Sequence, residues 1–356
     1  MKYLIFSPTS TQSIALARSI KLYDPEAIVY GGCLLDEESI KINKFYDYIV
    51  KINNKSKCAS YDFIMPTTSY STKIYATWMR EFVVGRVYFS ENSLKVSDKL
   101  WLYKEAKKCN ISIPETWETF NEIPENAGNI FFKANNEGIS NVRTWVRNKN
   151  KIPLRIRNAS NFHFQERIHG KDVYGFSFIA QDGEIEVCYL HHEICSEPSD
   201  GGSAVILIRY TNPYLEEISK KLVKQIKYNG WGLVEWKYCN KRQDFVLMEI
   251  NAKCWASIEF ALRNEPKFLK LLFGINSKSE NIDGIIWPFR LLSTIFLNGI
   301  TAFKAIIKYK LVIGFEKLPI LSILSTWLPI LWKDRLRKLV YNILFCIPYI
   351  VSIQLL

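Results

Sequence analysis

Apolar positions change period along the chain, and each change marks an element. Residues 3–6 are a continuous apolar run of strand length, followed by the polar turn Ser7-Pro8-Thr9-Ser10-Thr11. Over 12–22 the spacing becomes helical, with Ile14, Ala17, Arg18 and Lys21 marking the faces. Residues 27–30 read as a second strand that stops at Gly31-Gly32, 46–52 as a third and 63–66 as a fourth. Strand, helix and strand at these lengths predict a parallel sheet with helices on its faces. Gly-x-Gly-x-x-Gly is absent after the first strand, so no dinucleotide is assigned to this region.

The middle of the chain carries two lysines at element ends. Ser97 or Asp98 can cap a helix whose apolar positions are Leu100, Leu102 and Ala106 and which must end before Pro114. Lys99 falls in its first turn, where the helix dipole favours an anion. Residues 129–133 form an apolar strand ending in Lys133, which leads into a small polar loop over 134–141. A lysine leaving a strand into such a loop can reach a phosphate while backbone amides close over it. Strands over 162–168 and 173–180 flank Gly170, the stretch 199–203 is a flexible lead into a strand over 204–209, and 213–228 is an amphipathic helix.

Two further strands, 232–238 and 245–250, are joined by the short polar turn 239–244 and predict a hairpin. Glu249, Asn251 and Lys253 alternate, so an extended chain projects a carboxylate, an amide oxygen and an ammonium from one face. The hairpin brings Glu235 beside Glu249. Two adjacent carboxylates repel unless a cation lies between them, and Mg²⁺, which takes a few carboxylate oxygens plus substrate phosphates, suits that place. His191-His192-Glu193 makes no comparable site, because adjacent histidines on a strand face opposite ways.

Composition narrows the class. A chain of 356 residues with 48% hydrophobic and 23% charged residues is globular and long enough for two or three subdomains. The eight cysteines form no Cys-x-x-Cys pair and no grouping with the four histidines, as in a reduced, cytoplasmic protein. Half of the +12 net charge lies beyond residue 280, in an apolar tail without the aromatic interleaving of a single-strand groove, which argues against nucleic acid.

Taken in order, the motifs resemble the ATP-grasp superfamily of carboxylate-amine ligases. They run Asp98-Lys99 with 111–114, 131–133, Gln165 to Gly170 with Asp172, Gly201-Gly202-Ser203, 230–235 and Met248-Glu249-Ile250-Asn251-Ala252-Lys253. The resemblance implies an α/β and α+β protein. A Rossmann-like parallel-sheet domain (1–95) would precede a small lid (96–168), an antiparallel catalytic domain (169–280) and a helical, basic and apolar extension (281–356). It implies that Lys99 and Lys133 contact ATP phosphates, that Gln165, Glu166 and Ile168 form the adenine hinge and that Asp172 meets the ribose. Glu235, Glu249 and Asn251 would hold Mg²⁺, for which Mn²⁺ could substitute. The implied reaction phosphorylates a carboxylate and lets an amine attack the acyl phosphate. Lys253 stands where many members have Arg; it keeps the charge and lacks the planar two-bond fork.

The expected partners are therefore a small-molecule carboxylate and an amine, the acceptor being a cell-envelope or polysaccharide precursor, in a homodimer. The alternatives are a bicarbonate-activating enzyme of the carboxylase or carbamoyl phosphate synthase kind and a non-catalytic ATP-binding module. Residues 318–331 and 339–356 carry no charge and are interrupted by Pro319, Pro329 and Pro348, which argues against a spanning helix. With the basic cluster 333–338 between them, they suit peripheral contact with an anionic membrane on its inner face, or packing on the core.

Overall fold

The computed structural model describes residues 1–34, 45–79, 89–135, 143–170, 172–197, 202–255 and 257–314. Most of the loop expected over Lys133, part of the stretch 199–203 and the tail segments 318–331, 333–338 and 339–356 lie outside the described residues.

The N-terminal part contains β1 (Lys2–Phe6), α1 (Thr11–Tyr23), β2 (Ile28–Cys33), β3 (Tyr48–Lys51), β4 (Phe63–Met65), α2 (Ser69–Met79) and α3 (Glu91–Lys95). Its four strands form a parallel sheet in the order β3-β2-β1-β4. The chain then enters α4 (Lys99–Lys108), whose N-terminus is capped by the Asp98 carboxylate accepting from Leu100 and Trp101 N–H.

A small second sheet follows: β5 (Thr116–Trp117), β6 (Ile130–Ala134), β7 (Arg143–Val146), α5 (Leu154–Arg157) and β8 (Phe162–Glu166), in the order β5-β8-β6-β7. One face buries its own core of Trp117, Ile130, Phe132, Ile156, Phe162 and Phe164. Strand alternation turns Phe131, Lys133, His163 and Gln165 to the other face.

The third sheet has seven strands. Its elements are β9 (Val173–Gln181), β10 (Glu184–Glu197), β11 (Ser203–Arg209), α6 (Pro213–Gln225), β12 (Gly230–Cys239), β13 (Asp244–Asn251), α7 (Ile258–Asn264), α8 (Pro266–Phe273), β14 (Gly284–Ile286), α9 (Pro288–Lys308) and β15 (Leu311–Ile313). The strand order is β13-β12-β9-β10-β11-β14-β15, antiparallel except for the last pair.

Two expected boundaries move. Leu102, Tyr103 and Ala106 of α4 are buried in the core shared by the first and third sheets, so α4 packs with the large body and the lid sheet begins only at Thr116. At the other end, β14 and β15 extend the third sheet past residue 280, and Trp287 is buried with Leu207, Phe260, Ile282 and Ile285. The extension expected to be helical therefore contributes two strands to the sheet, with the helix α9 between them. Their three-residue length gives no readable period. Among the described residues no helix is long and apolar enough to cross a membrane.

Trp287→Ala removes a large side chain from a closed cluster and is expected to cost about 3 kcal/mol, read from the urea midpoint. A cost near zero would mean that residues 284–313 contribute nothing to the main core.

Candidate active site

The hairpin of β12 and β13 pairs Glu235 directly with Glu249. The pairing slips by one residue just beyond them: Trp236 opposes Leu247, so Met248 is the extra residue of a β-bulge. The bulge keeps Glu249 on the same face as Glu235 while freeing the Met248 carbonyl to accept a hydrogen bond from the Tyr103 hydroxyl at 2.9 Å. Leu247 N–H, on the edge of the sheet, donates to the Ser112 carbonyl at 2.9 Å. Helix α4 and the segment after it are thus tied along the hairpin, and Lys99 follows from that docking. Its Nζ lies 3.4 Å from Glu249 Oε2, and only 8% of the residue is exposed.

Asn251 completes the group. Its amide Nδ2 donates to Glu235 Oε1 at 2.9 Å and to Glu249 Oε1 at 3.3 Å, standing between the carboxylates where a cation would stand. Without a cation the two acids divide. Burial, followed by the negative charge of Glu249, raises the Glu235 carboxyl to about 8. Burial acts on Glu249 in the same direction, but Lys99, Lys133 and Lys253 together outweigh it and hold that carboxyl below its usual range. Three sequence-predicted lysines from three segments therefore converge electrostatically on one acidic pair. Lys133 comes from the lid, and the backbone N–H of Lys99 donates to the lid's Asn135 carbonyl at 3.2 Å, joining the two halves at this point.

The hinge residues separate. Gln165 is buried and its Oε1 lies 3.4 Å from the Tyr103 hydroxyl, facing the cleft. Ile168 is buried against Cys239, Val246 and Met248, an apolar floor beside the acidic pair. Glu166 is already engaged: its N–H donates to the Glu115 carbonyl, and its carboxylate accepts from Glu115 N–H and pairs with Arg242. Asp172 does not join the group. Its Oδ1 lies 3.0 Å from His192 Nε2, and His192 stacks on Tyr174. Tyr174 opposes Trp236 and His192, so alternation places this cluster on the sheet face away from Glu235, where Tyr174 also meets Phe245.

Three residues at the cleft have no role in the motif reading: His163, and His191 and Glu193 from the group set aside above. His163 pairs across strands with Lys133, is fully buried and is held neutral by burial and by Lys133 and Lys99; its Nδ1 lies 3.0 Å from Asn135 Oδ1. It sits two residues before Gln165, so strand alternation alone would have found it. His191 lies across Gly175, where an added Cβ would fall 2.2 Å from its Nε2; Gly175 in turn opposes Glu235. Glu193 lies on the same face one row further along. Between the bulges after Ile185 and Glu193 the pairing of β10 is regular, so His191 and Glu193, two residues apart, share a face.

No family model matches the chain, and no curated protein matches it. Solved structures do. The chain is similar to N5-carboxyaminoimidazole synthetase from Staphylococcus aureus complexed with ADP, at a TM-score of 0.60 and 10% identity over 78% of each chain. It is similar to a putative ATP-grasp superfamily protein from Archaeoglobus fulgidus, at 0.55 and 15% identity, covering 78% of this chain and 90% of that one. The chain has the ATP-grasp fold. An L-amino acid ligase from Bacillus licheniformis shares it at a TM-score of 0.54 and 9% identity, covering 72% of this chain and 68% of that one. Within the ATP-grasp fold, the acidic hairpin and Lys133 of the small sheet face one another across the cleft between the second and third sheets.

Glu235 gives a pH test of this geometry. Its folded pKa lies above the ordinary 4.5, so the folded chain keeps a proton that the unfolded chain releases, and stability falls as pH rises from about 4.5 to about 8. Glu235→Gln cannot titrate. In EDTA its melting temperature should match the parent at pH 4 and exceed it at pH 8; equal curves at both would show that Glu235 is not crowded by Glu249.

Proposed function

We propose that the protein is an ATP-dependent ligase that phosphorylates a substrate carboxylate and joins it to an amine. The observation that carries this reading is the convergence of Lys99, Lys133 and Lys253 on the paired Glu235 and Glu249. A strongly basic ring around an acidic pair suits a metal-bound triphosphate better than either charge alone.

The donor set fits Mg²⁺. Two carboxylates and one amide oxygen are hard ligands, few enough to leave positions for phosphate oxygens, and the division of protons between Glu235 and Glu249 is the strain that a divalent cation would relieve. Glu235, Glu249 and Asn251 would hold it, the amide turning its oxygen inward; Mn²⁺ would be accepted by the same set. Bound there, the ion would offset charge on the phosphates.

The chain's own residues supply the rest. Lys99 and Lys133 would grip phosphate oxygens and stabilise charge spread over the transferring phosphoryl group. The Ile168, Val246 and Met248 surface, with Gln165 at its edge, would seat the adenine. An oxygen of the substrate carboxylate attacks the γ-phosphorus, ADP leaves, and an amine then displaces phosphate from the acyl carbon. Lys253 would neutralise the acyl phosphate by charge, holding it with less directional control than a guanidinium gives. No side-chain nucleophile is required. The lid's closeness to the hairpin excludes water that would hydrolyse the intermediate.

The test is a hydroxamate assay with MgATP, using hydroxylamine as nucleophile and the twenty protein amino acids, sugar acids and bicarbonate as carboxylates. A carboxylate-dependent release of ADP that falls at least about 100-fold in Glu249→Ala supports a ligase. ATP binding without turnover on any carboxylate favours a binding module, and turnover on bicarbonate alone favours a carboxylase-type reaction.

A further inference from the structure

Beyond the acidic pair, the cleft face of the third sheet carries a carboxylate that the nucleotide reading does not use. Lys237 opposes Val173 across β12 and β9, and Val173 opposes Glu193 across β9 and β10. Cross-strand partners share a face, so Glu193 looks into the same cleft as Glu235, two strand spacings (about 10 Å) to the side. In the neighbouring row the His191 ring lies over Gly175, which opposes Glu235. Glu193 Oε1 is fully buried and has no hydrogen-bond partner among the described residues. Ser196 bonds the carboxyl, and Glu235, Arg290 and Lys237 are the charged groups that act on it. A buried oxygen acceptor left unpaired is costly, and an N–H donor arriving with a ligand removes that cost.

We propose that Glu193 receives the acceptor amine and acts as its general base. This rests on the ligase reading above. The orphaned Oε1 offers the amine an acceptor on the same face as the metal pair and to one side of it. In the step, a primary ammonium gives one proton to the Glu193 carboxylate and the freed lone pair attacks the acyl carbon. The C–N bond forms, the C–O bond to phosphate breaks, and inorganic phosphate departs with the bonding pair and the second N–H proton. Burial raises the proton affinity of Glu193 well above that of an ordinary glutamate, in the direction that helps it take a proton from an ammonium.

The step is separable from phosphorylation, because hydroxylamine is mostly uncharged at neutral pH and needs no base. The experiment compares hydroxamate formation with amide formation on ammonium, ethanolamine and glycine, in the full chain and in Glu193→Gln and Glu193→Asp, with MgADP affinity measured alongside. The expected result is unchanged MgADP affinity and hydroxamate yield in Glu193→Gln, with amide formation down about 100-fold or more, and partial recovery in Glu193→Asp. Equal loss of both products in the two variants, or no loss of amide, overturns the role of Glu193 while leaving the ligase intact. A full-length protein that makes hydroxamate but takes none of the amines also overturns it. Failure of the unaltered chain to form any hydroxamate removes the ligase reading itself, and this inference with it.

Discussion

Two glutamates facing each other across a β-hairpin set the condition that the surrounding structure meets. Glu235 and Glu249 cannot both be ionised at close range in a buried cleft without positive charge nearby. Lys99 arrives from the start of a helix, Lys133 from the end of a lid strand and Lys253 from the exit of the hairpin itself, and the Asn251 amide bridges the pair. The positions of α4 and the lid are thus electrically linked to the hairpin as well as packed against it. Displacing either would return charge to a place where burial makes it costly.

The backbone around the pair is shaped for this. The bulge at Met248 shifts the register of β13 by one residue and directs a carbonyl at Tyr103, while the exposed sheet edge is closed by Leu247 donating to Ser112. An edge strand that would otherwise invite a second chain is instead capped by the connection into the lid. Local irregularity, which weakens a sheet in isolation, here sets the orientation of the site.

Much of this was legible in the sequence because it depends on period and order. The first parallel sheet, the hairpin and the facing of Glu249 with Asn251 all follow from strand alternation and short polar turns. The parts that were not legible lie where period fails. The 14-residue strand β10 carries bulges that reset its alternation, so no single period runs along it, and the three-residue strands β14 and β15 are too short to show any pattern. Asp172 illustrates a different failure. Its position beside a strand start was correct, but the side of the sheet it serves is decided by His192 and Tyr174, which only the folded pairing brings together. Glu166 likewise reads as a hinge residue by position and is occupied by contacts from Glu115 and Arg242.

Those contacts bear on how the lid can move. Arg242, in the turn of the acidic hairpin, holds Glu166 on one side and donates to the Ile113 carbonyl at 2.7 Å and Ser112 Oγ at 3.1 Å on the other. Both chain connections that enter and leave the small sheet are therefore pinned at a single guanidinium. The lid is consequently restrained to swing about that pivot, with β5 and the end of β8 near the axis and the tip beyond β6 and β7 sweeping the widest arc. In the ligase proposed above, such a lever would keep the adenine end of the cleft nearly constant and concentrate opening at the phosphate end, so that small substrates could exchange while the nucleotide stayed in place.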